Sequence, residues 1–374
     1  MRAKLVPASD NGNNTFWEEY VDVTFVVANS LILLITSAVG IAANVFVMLA
    51  VFHQKSLQTS NNALVVNLAV VDFLRCVIDC PILLTIVINV YKTGRVEELI
   101  CDTQTVSFSF SCCIQLVTLA CISAERHQAI AQPSKSGQQK TRIKVLIPLI
   151  WILAVFVAVF CLMYLRDSPV HVRCLGVKRE QLSTYDNFGF YMLFPLWAAC
   201  FTLIISFYTR IFLLVKSHNR KIFDNGTFLP PKRDTADDKP KKDESTVSCN
   251  DPQTEAEKQP AEMDGAVCMM PSKASKERAR KKKESKMAQR AGYIIVTFLL
   301  FWLPLVTTIL ANFAFHINRN SQMLFLQDVE ILSVSVACIT SLSDPIIYAA
   351  VNPQFRTEFH RLKNKVKAVF NKKV

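Results

Sequence analysis

Between Cys101 and Arg126 the chain carries only two charged side chains, Asp102 and Glu125, one near each end. As a helix at about 1.5 Å per residue this stretch is roughly 37 Å long. The hydrocarbon core of a bilayer is roughly 30 Å thick. One helix can therefore bring Cys101 out on one side of a membrane and Glu125, Arg126 and His127 on the other. Six more apolar runs accompany it, at 25–52, 62–90, 145–164, 188–215, 292–315 and 323–351. The pattern predicts an all-α membrane protein, a seven-transmembrane helix bundle that leaves the two ends of the chain on opposite sides.

Composition agrees. The chain is 51% hydrophobic and only 19% charged, which few soluble proteins combine with several uninterrupted apolar runs. The formal net charge of +12 invites a nucleic-acid partner. The basic residues instead cluster between and after the runs, as in cytoplasmic loops, so no nucleic acid is expected. Lys55, Lys135, Lys140, Arg142, Lys144, the 218–221 cluster and the 276–283 run all fall on the side opposite the N-terminus. The positive-inside rule orients that side to the cytoplasm. No signal peptide precedes the first run, because residues 7–14 are polar.

The expected organisation is an extracellular segment 1–24, five spans with their loops over 25–216, a charged loop 217–284, two spans over 285–351, and a tail 352–374. The first segment carries a glycosylation sequon at Asn13. The loop is too polar to fold and should be disordered. In the tail, Phe355, Phe359, Leu362, Val366 and Phe370 recur at helical spacing among Arg and Lys, which predicts a short amphipathic helix on the lipid bilayer's inner leaflet.

Three charges interrupt the second run. Asp72, Arg75 and Asp79 fall on one helix face, and ionisable groups at that depth normally face a bundle interior. A purely structural, self-neutralising triad is the alternative. Most of the twelve cysteines sit in apolar runs, where a thiol acts as a small hydrophobe. No paired CxxC or histidine motif suggests a metal, and no cofactor is expected. Six scattered histidines offer no nucleophile–base constellation, so the chain is not read as an enzyme. Neither an inverted repeat nor a polar pore-lining row supports a transporter or channel.

Motifs in every run resemble the rhodopsin-like (class A) G-protein-coupled receptors. These are Gly40–Asn44 as GxxxN, Asn67-Leu68-Ala69-x-x-Asp72 with Pro81, and Glu125-Arg126-His127 with Pro133. Trp151, Phe298-x-x-x-Trp302-x-Pro304, Asp344-Pro345-x-x-Tyr348 and Phe355-Arg356 follow in order. The third-helix ERHxAI run is similar to that of several neuropeptide receptors. The resemblance implies a plasma-membrane receptor that passes an extracellular ligand signal to heterotrimeric G proteins, with arrestin recruited by sites such as Ser245, Thr246 and Ser248. It also implies a disulfide between Cys101 and Cys174.

The activation switch is expected at Asn44, Asp72, Arg75, Glu125, Arg126, His127, Glu284, Phe298, Trp302, Pro304, Asp344, Pro345 and Tyr348. Pro304 kinks its helix, and Arg126 is expected to pair with Glu125 and Glu284 at rest. The ligand-binding residues are expected to be Asp79, Phe108, Ser109, Cys112, Trp302, Leu305, Val306, Ile309 and Glu330. This apolar cavity lies beneath Asp328 and Glu330, which either meet the ligand or form a solvated rim. It would suit a peptide or an amphipathic small molecule. A constitutively active, ligand-independent receptor that modulates signalling is the second reading.

The chain also departs from the family. Phe108 occupies the position of the amine receptors' aspartate, and Cys338 that of the opsin lysine. Gln115 stands where a serine often faces the second-span aspartate, and Arg75 lies one turn from Asp72, so a family-type sodium site is not expected. Family spacing from Pro195 to an inner tyrosine lands on Leu203, whereas the tyrosine present is Tyr208. Tags at the two termini should be detected on opposite faces of intact cells, the N-terminal one outside; detection on the same face would refute the seven-span topology.

Overall fold

The computed structural model describes residues 12–132, 138–166, 168–176, 186–226, 273–317, 323–351, 355–361 and 363–364. Within them, the side chains of 12–22, 218–226, 273–291, 315–327 and residues 56, 60, 61, 169 and 351 are not described. Among the described residues there are helices and turns and no strand.

The first rod, α1 (Gly12–His53), begins well before the apolar run at 25, because hydropathy marks only the part that needs lipid. The second rod, α2, has three consecutive pieces: Ser60–Leu74, a wide π turn Arg75–Asp79, and Cys80–Thr93. Then come α3 (Glu98–Ala131), α4 (Gln139–Tyr164) and a short loop helix α5 (Pro169–Leu175). The next rod, α6, starts with a second π turn, Gly189–Leu193, and runs on as Phe194–Gly226. Helix α7 is Lys273–Ile317, and α8 is Met323–Cys338 followed, after a turn at Ile339, by Thr340–Val351. Residues 217–226 and 273–284, read from the sequence as part of a disordered loop, are therefore helical. Ser245, Thr246 and Ser248 lie outside the described residues.

Six helical stretches are long and apolar enough to cross a membrane: Val23–His53, Glu98–Ala131, Gln139–Tyr164, Gly189–Ser217, Gly292–Ala314 and Asp328–Ala350. The expected second span does not qualify by length, because the π turn divides it into pieces of 15 and 14 residues around its charges. Both π turns have the same cause. Pro81 and Pro195 lack an N–H and crowd the preceding turn. In each case the residue just before the proline donates its N–H five residues back: Cys80 to the Arg75 carbonyl, and Phe194 to that of Gly189. Each turn thus gains a residue, which re-aims the side chains beyond it.

Helix α3 is the hub, packing on α2, α4, α6 and α7. In its most apolar window 72% is buried, against 22% for α4 and 17% for α6, so α4 and α6 are peripheral. Their exposed side chains are large and apolar, among them Ile152, Phe156 and Phe212. Such outward-facing apolar surface is expected where the solvent is lipid.

Helices α1, α2 and α8 meet around Gly40 and Asn44. Asn44 Nδ2 donates to the Ser341 carbonyl at 2.8 Å and to Gly40's at 2.9 Å. A Cβ on Gly40 would stand 2.4 Å from Cys76 Sγ, which is why the tight crossing needs glycine. Trp151 Nε1 donates to Asn67 Oδ1, whose amide donates to Thr118, tying α4, α2 and α3 together. Beyond α8, residues 355–361 are helical. Phe355 is fully buried against Val47, Leu57 and Val65, so it packs into the bundle rather than facing lipid. Phe359 is exposed and meets Phe46 edge-on, while Leu362, Val366 and Phe370 lie outside the described residues.

Gly40→Ala should destabilise the bundle by about 1–3 kcal/mol through overpacking. Adding Cys76→Ala should recover most of that loss, read as thermal unfolding midpoints in a double-mutant cycle.

Candidate functional site

Two polar assemblies occupy the interior. The deeper one is built on Arg75, which is 1% exposed. Its guanidinium donates to Gln115 Oε1 at 2.5 Å, to Ser111 Oγ at 3.1 and 3.3 Å, and to Cys112 Sγ at 3.2 Å. It lies 3.6 Å from Asp79 Oδ2. Gln115 Nε2 then donates to Asp72 Oδ1 and to Thr340 Oγ1, so the network joins α2, α3 and α8. Asp344 is buried beside it and feels both Asp72 and Arg75. Its two oxygens and Asp72 Oδ2 have no hydrogen-bond partner among the described residues.

Above this network lies a small cavity, open to water-sized groups over about 30 Å³. Gln104, Thr105 and Phe108 line it from α3, Ser168 and Val170 from the outer loop, and Asp186, Phe188, Gly189 and Leu193 from the start of α6. Leu305 and Ile309 of α7 and Glu330 and Val334 of α8 complete the wall. The loop is held over it by the Cys101–Cys174 disulfide and by Val96 N–H donating to the Cys174 carbonyl at 2.7 Å. Ser168 caps α5 by accepting the His171 N–H at 3.1 Å, and Pro169 suits the first helical position. Arg173 anchors the same loop to Asp328 at 3.3 Å.

Four residues expected at the ligand site line this cavity: Phe108, Leu305, Ile309 and Glu330. Five do not. Asp79 is held by Arg75 and by hydrogen bonds from Ser111 at 2.6 Å and from Ser107, because the π turn directs it at α3. Cys112 is covered by the Arg75 guanidinium. Ser109 is fully buried and donates to its own helix at the Val106 carbonyl. Trp302 is fully buried and stacked on Phe298 at 5.0 Å, while Val306 packs in the core. Glu330 is no solvated rim acid either. It is 2% exposed, accepts a hydrogen bond from Asn312, and meets Asp186.

Gln104 and Thr105 were within reach of sequence reading, since they lie one turn before Phe108 on the same face. Asp186 was not, because only the fold brings the start of α6 against α8.

The two assemblies touch at Phe108, whose ring centroid lies 5.8 Å from the Arg75 guanidinium carbon. A cation–π contact of this kind contributes roughly 0.5–2 kcal/mol. It links the cavity wall directly to the buried charge.

At the other end of α3, Glu125 accepts two hydrogen bonds from Arg142 of α4, both at 3.0 Å. The sequence gives that carboxylate to Arg126, but consecutive helical residues do not face one another. Arg126 is nearly buried and within electrostatic reach of Tyr208 and Tyr348. Tyr208 packs inward against Ile122 and Ile143, whereas Leu203 is 49% exposed. The inner tyrosine of α6 is thus Tyr208. His127 packs on Phe207 at 5.6 Å. Pro304 and Pro345 lie inside α7 and α8. The side chains of Asn13 and Glu284 lie outside the described residues.

A family model described as "7 transmembrane receptor (rhodopsin family)" matches residues 43–348. Among similar proteins, the 5-hydroxytryptamine receptor 1B of Equus caballus is 26% identical over 347 residues, covering 89% of this chain and 84% of its own. The probable G-protein coupled receptor No18 of Amphibalanus amphitrite is 25% identical over 355 residues, 90% and 89% of the two chains. The 5-hydroxytryptamine receptor 1B of Mus musculus is 24% identical over 350 residues, 89% and 86%.

Arg75→Met should cost about 3–5 kcal/mol, because it strands buried carboxylates. Adding Asp79→Leu should return part of that stability, measured as the thermal midpoint of purified protein.

Proposed function

Because the chain belongs to the rhodopsin family of seven-transmembrane receptors, we propose that it carries an extracellular ligand signal across the plasma membrane to heterotrimeric G proteins. In this reading α2 crosses the bilayer as the remaining span, with its charges turned inward where α3 and α8 satisfy them. The N-terminus is extracellular, the C-terminus cytoplasmic, and the helix at 355–361 sits at the inner leaflet. Asn13 is then on the side where glycans are added. The disulfide at Cys101 and Cys174 supports an oxidising compartment on that same face.

The contact between Phe108 and Arg75 carries the proposal. A ligand that moves the Phe108 ring changes the packing around a charge held by α2, α3 and α8. A ligand shifts a two-state equilibrium only by its differential affinity for the two states, and a cavity wall resting on a buried charge provides such a difference. Phe298 and Trp302 sit as a stacked pair above the inner half of α7, with Pro304 as its kink. Outward motion of that inner half would uncover Arg126, Tyr208 and Tyr348 to a G-protein helix. Arrestin would recognise the same face.

The ligand is a peptide segment or an amphipathic small molecule of a size that suits the cavity. Two of the relatives named above are receptors for 5-hydroxytryptamine. In this chain Phe108 stands at the amine receptors' aspartate position, so an amine would need its counter-ion elsewhere. Ligand-independent signalling is the second reading, favoured by the completeness of the inner-side motifs. Nucleotide exchange on G proteins in ligand-free membranes separates the two: high exchange supports the second reading and low exchange the first.

Glu284→Ala should raise basal nucleotide exchange severalfold at matched surface expression if Glu284 restrains Arg126; unchanged exchange refutes that restraint. Arg75 already supplies the positive charge beside Asp72, so exchanging sodium for potassium should leave the thermal midpoint unchanged. A sodium-specific rise would contradict this.

A further inference from the structure

Resting on the receptor reading above, we propose that the outer cavity recognises a cationic nitrogen group, an ammonium or guanidinium, through Glu330, Asp186 and Gln104. Cation recognition is thereby moved from α3 to the junction of α6 and α8.

Three observations converge on one end of the cavity. Glu330 is 2% exposed, lines the cavity and makes no ion pair among the described residues. It accepts a hydrogen bond from the neutral Asn312 amide and is hydrogen-bonded to the Asp186 carboxyl group. Asp186 brings a second carboxyl group against it from α6. Gln104 lines the same space at 3% exposure, and its Oε1 is buried without a hydrogen-bond partner among the described residues. Two carboxyl groups and an orphan amide oxygen form a concentration of acceptors in a low-dielectric setting. A buried acceptor without a donor is costly, and a group carrying several N–H donors and a positive charge satisfies the Gln104 oxygen while it pairs with the neighbouring acids.

The protein holds this arrangement in place. Asp186 Oδ1 accepts the Gly189 N–H at 2.8 Å, and a Cβ on Gly189 would stand 1.8 Å from Asp186 Oδ2. Only glycine at 189 lets the carboxylate lie back against α6. Phe108, Leu305, Ile309 and Val334 supply the apolar part of the lining. The occupant is thus a cation with an apolar body. The space open to water-sized groups is only about 30 Å³, room for a cationic head group, and an apolar body follows it only as the surrounding side chains change rotamer. That accommodates a small organic cation, or one basic side chain or amino terminus of a peptide, and not a whole folded partner.

The test uses the full-length chain in lipid nanodiscs. Thermal unfolding is titrated with 2-phenylethylamine, phenylguanidine, the neutral isostere 2-phenylethanol, and the dipeptide amide Phe-Arg-NH2. One or more of the cations should raise the unfolding midpoint in a saturable way, and 2-phenylethanol should not. Stabilisation by the simple amine or guanidine assigns a small-molecule source, and stabilisation by the dipeptide alone a peptide source. Asp186→Asn with Glu330→Gln keeps the local hydrogen-bond acceptors and removes the charge. It should weaken the apparent affinity at least about tenfold, and Gln104→Leu alone should weaken it severalfold. Should the double variant fail to fold, Glu330→Gln and Gln104→Leu are read singly.

The proposal is overturned if no cation shifts the midpoint, if 2-phenylethanol matches the cations, or if the neutralised variants keep wild-type affinity. Nucleotide exchange on G proteins is measured in the same preparations. Cation binding without exchange would refute the receptor reading alone, and exchange without cation binding would refute this inference alone.

Discussion

A guanidinium buried to 1% exposure is the constraint around which this bundle is arranged. Taking such an ion out of water costs several kcal/mol even after relaxation, and only close, well-oriented partners offset it. Arg75 finds them on three elements at once: Asp79 on its own rod, Ser111, Cys112 and Gln115 on α3, and through Gln115 both Asp72 and Thr340. If α2 or α8 shifts, these partners are lost together. The charge therefore fixes the registry of α2, α3 and α8 more tightly than apolar packing in lipid, where sliding one hydrophobic surface over another costs little.

The π turns let the same short stretches serve two ends. At Arg75–Asp79 the extra residue turns Asp79 toward Ser111 while keeping it beside Arg75. At Gly189–Leu193 it sets Gly189 under Asp186 and leaves Pro195 free to continue α6. Both turns sit one step before a proline that could not have taken part in ordinary helical bonding. Local backbone chemistry thus decides where acidic groups point in the outer half of the bundle.

Information can cross the molecule through contacts already in place. The cavity wall at Phe108 rests on Arg75, and Arg75 reaches α8 through Gln115 and Thr340. Lower on α8, Tyr348 approaches both Phe355 and Arg126. Apart from the run along α8, each step is a specific contact between different elements, so a change at one end alters the packing free energy at the next. Glu125, fixed to Arg142 of α4, leaves its neighbour Arg126 facing the tyrosines of α6 and α8.

Sequence alone determined that the chain is a bundle of long apolar helices, because apolar run length is governed by the bilayer, which acts on each segment independently. It also marked Asp72, Arg75 and Asp79 as interior polar residues, since ionisable groups within such runs must face protein. The partners of those groups were decided by the fold. That Glu125 goes to Arg142, that Asp79 belongs to the buried network rather than the cavity, and that Glu330 meets Asp186 all depend on helix rotation and on π turns that add a residue. Rotations of this kind come from packing between elements remote in sequence, where a single extra residue in a turn swings every following side chain by about 100°. Hydropathy along one helix carries no record of that angle.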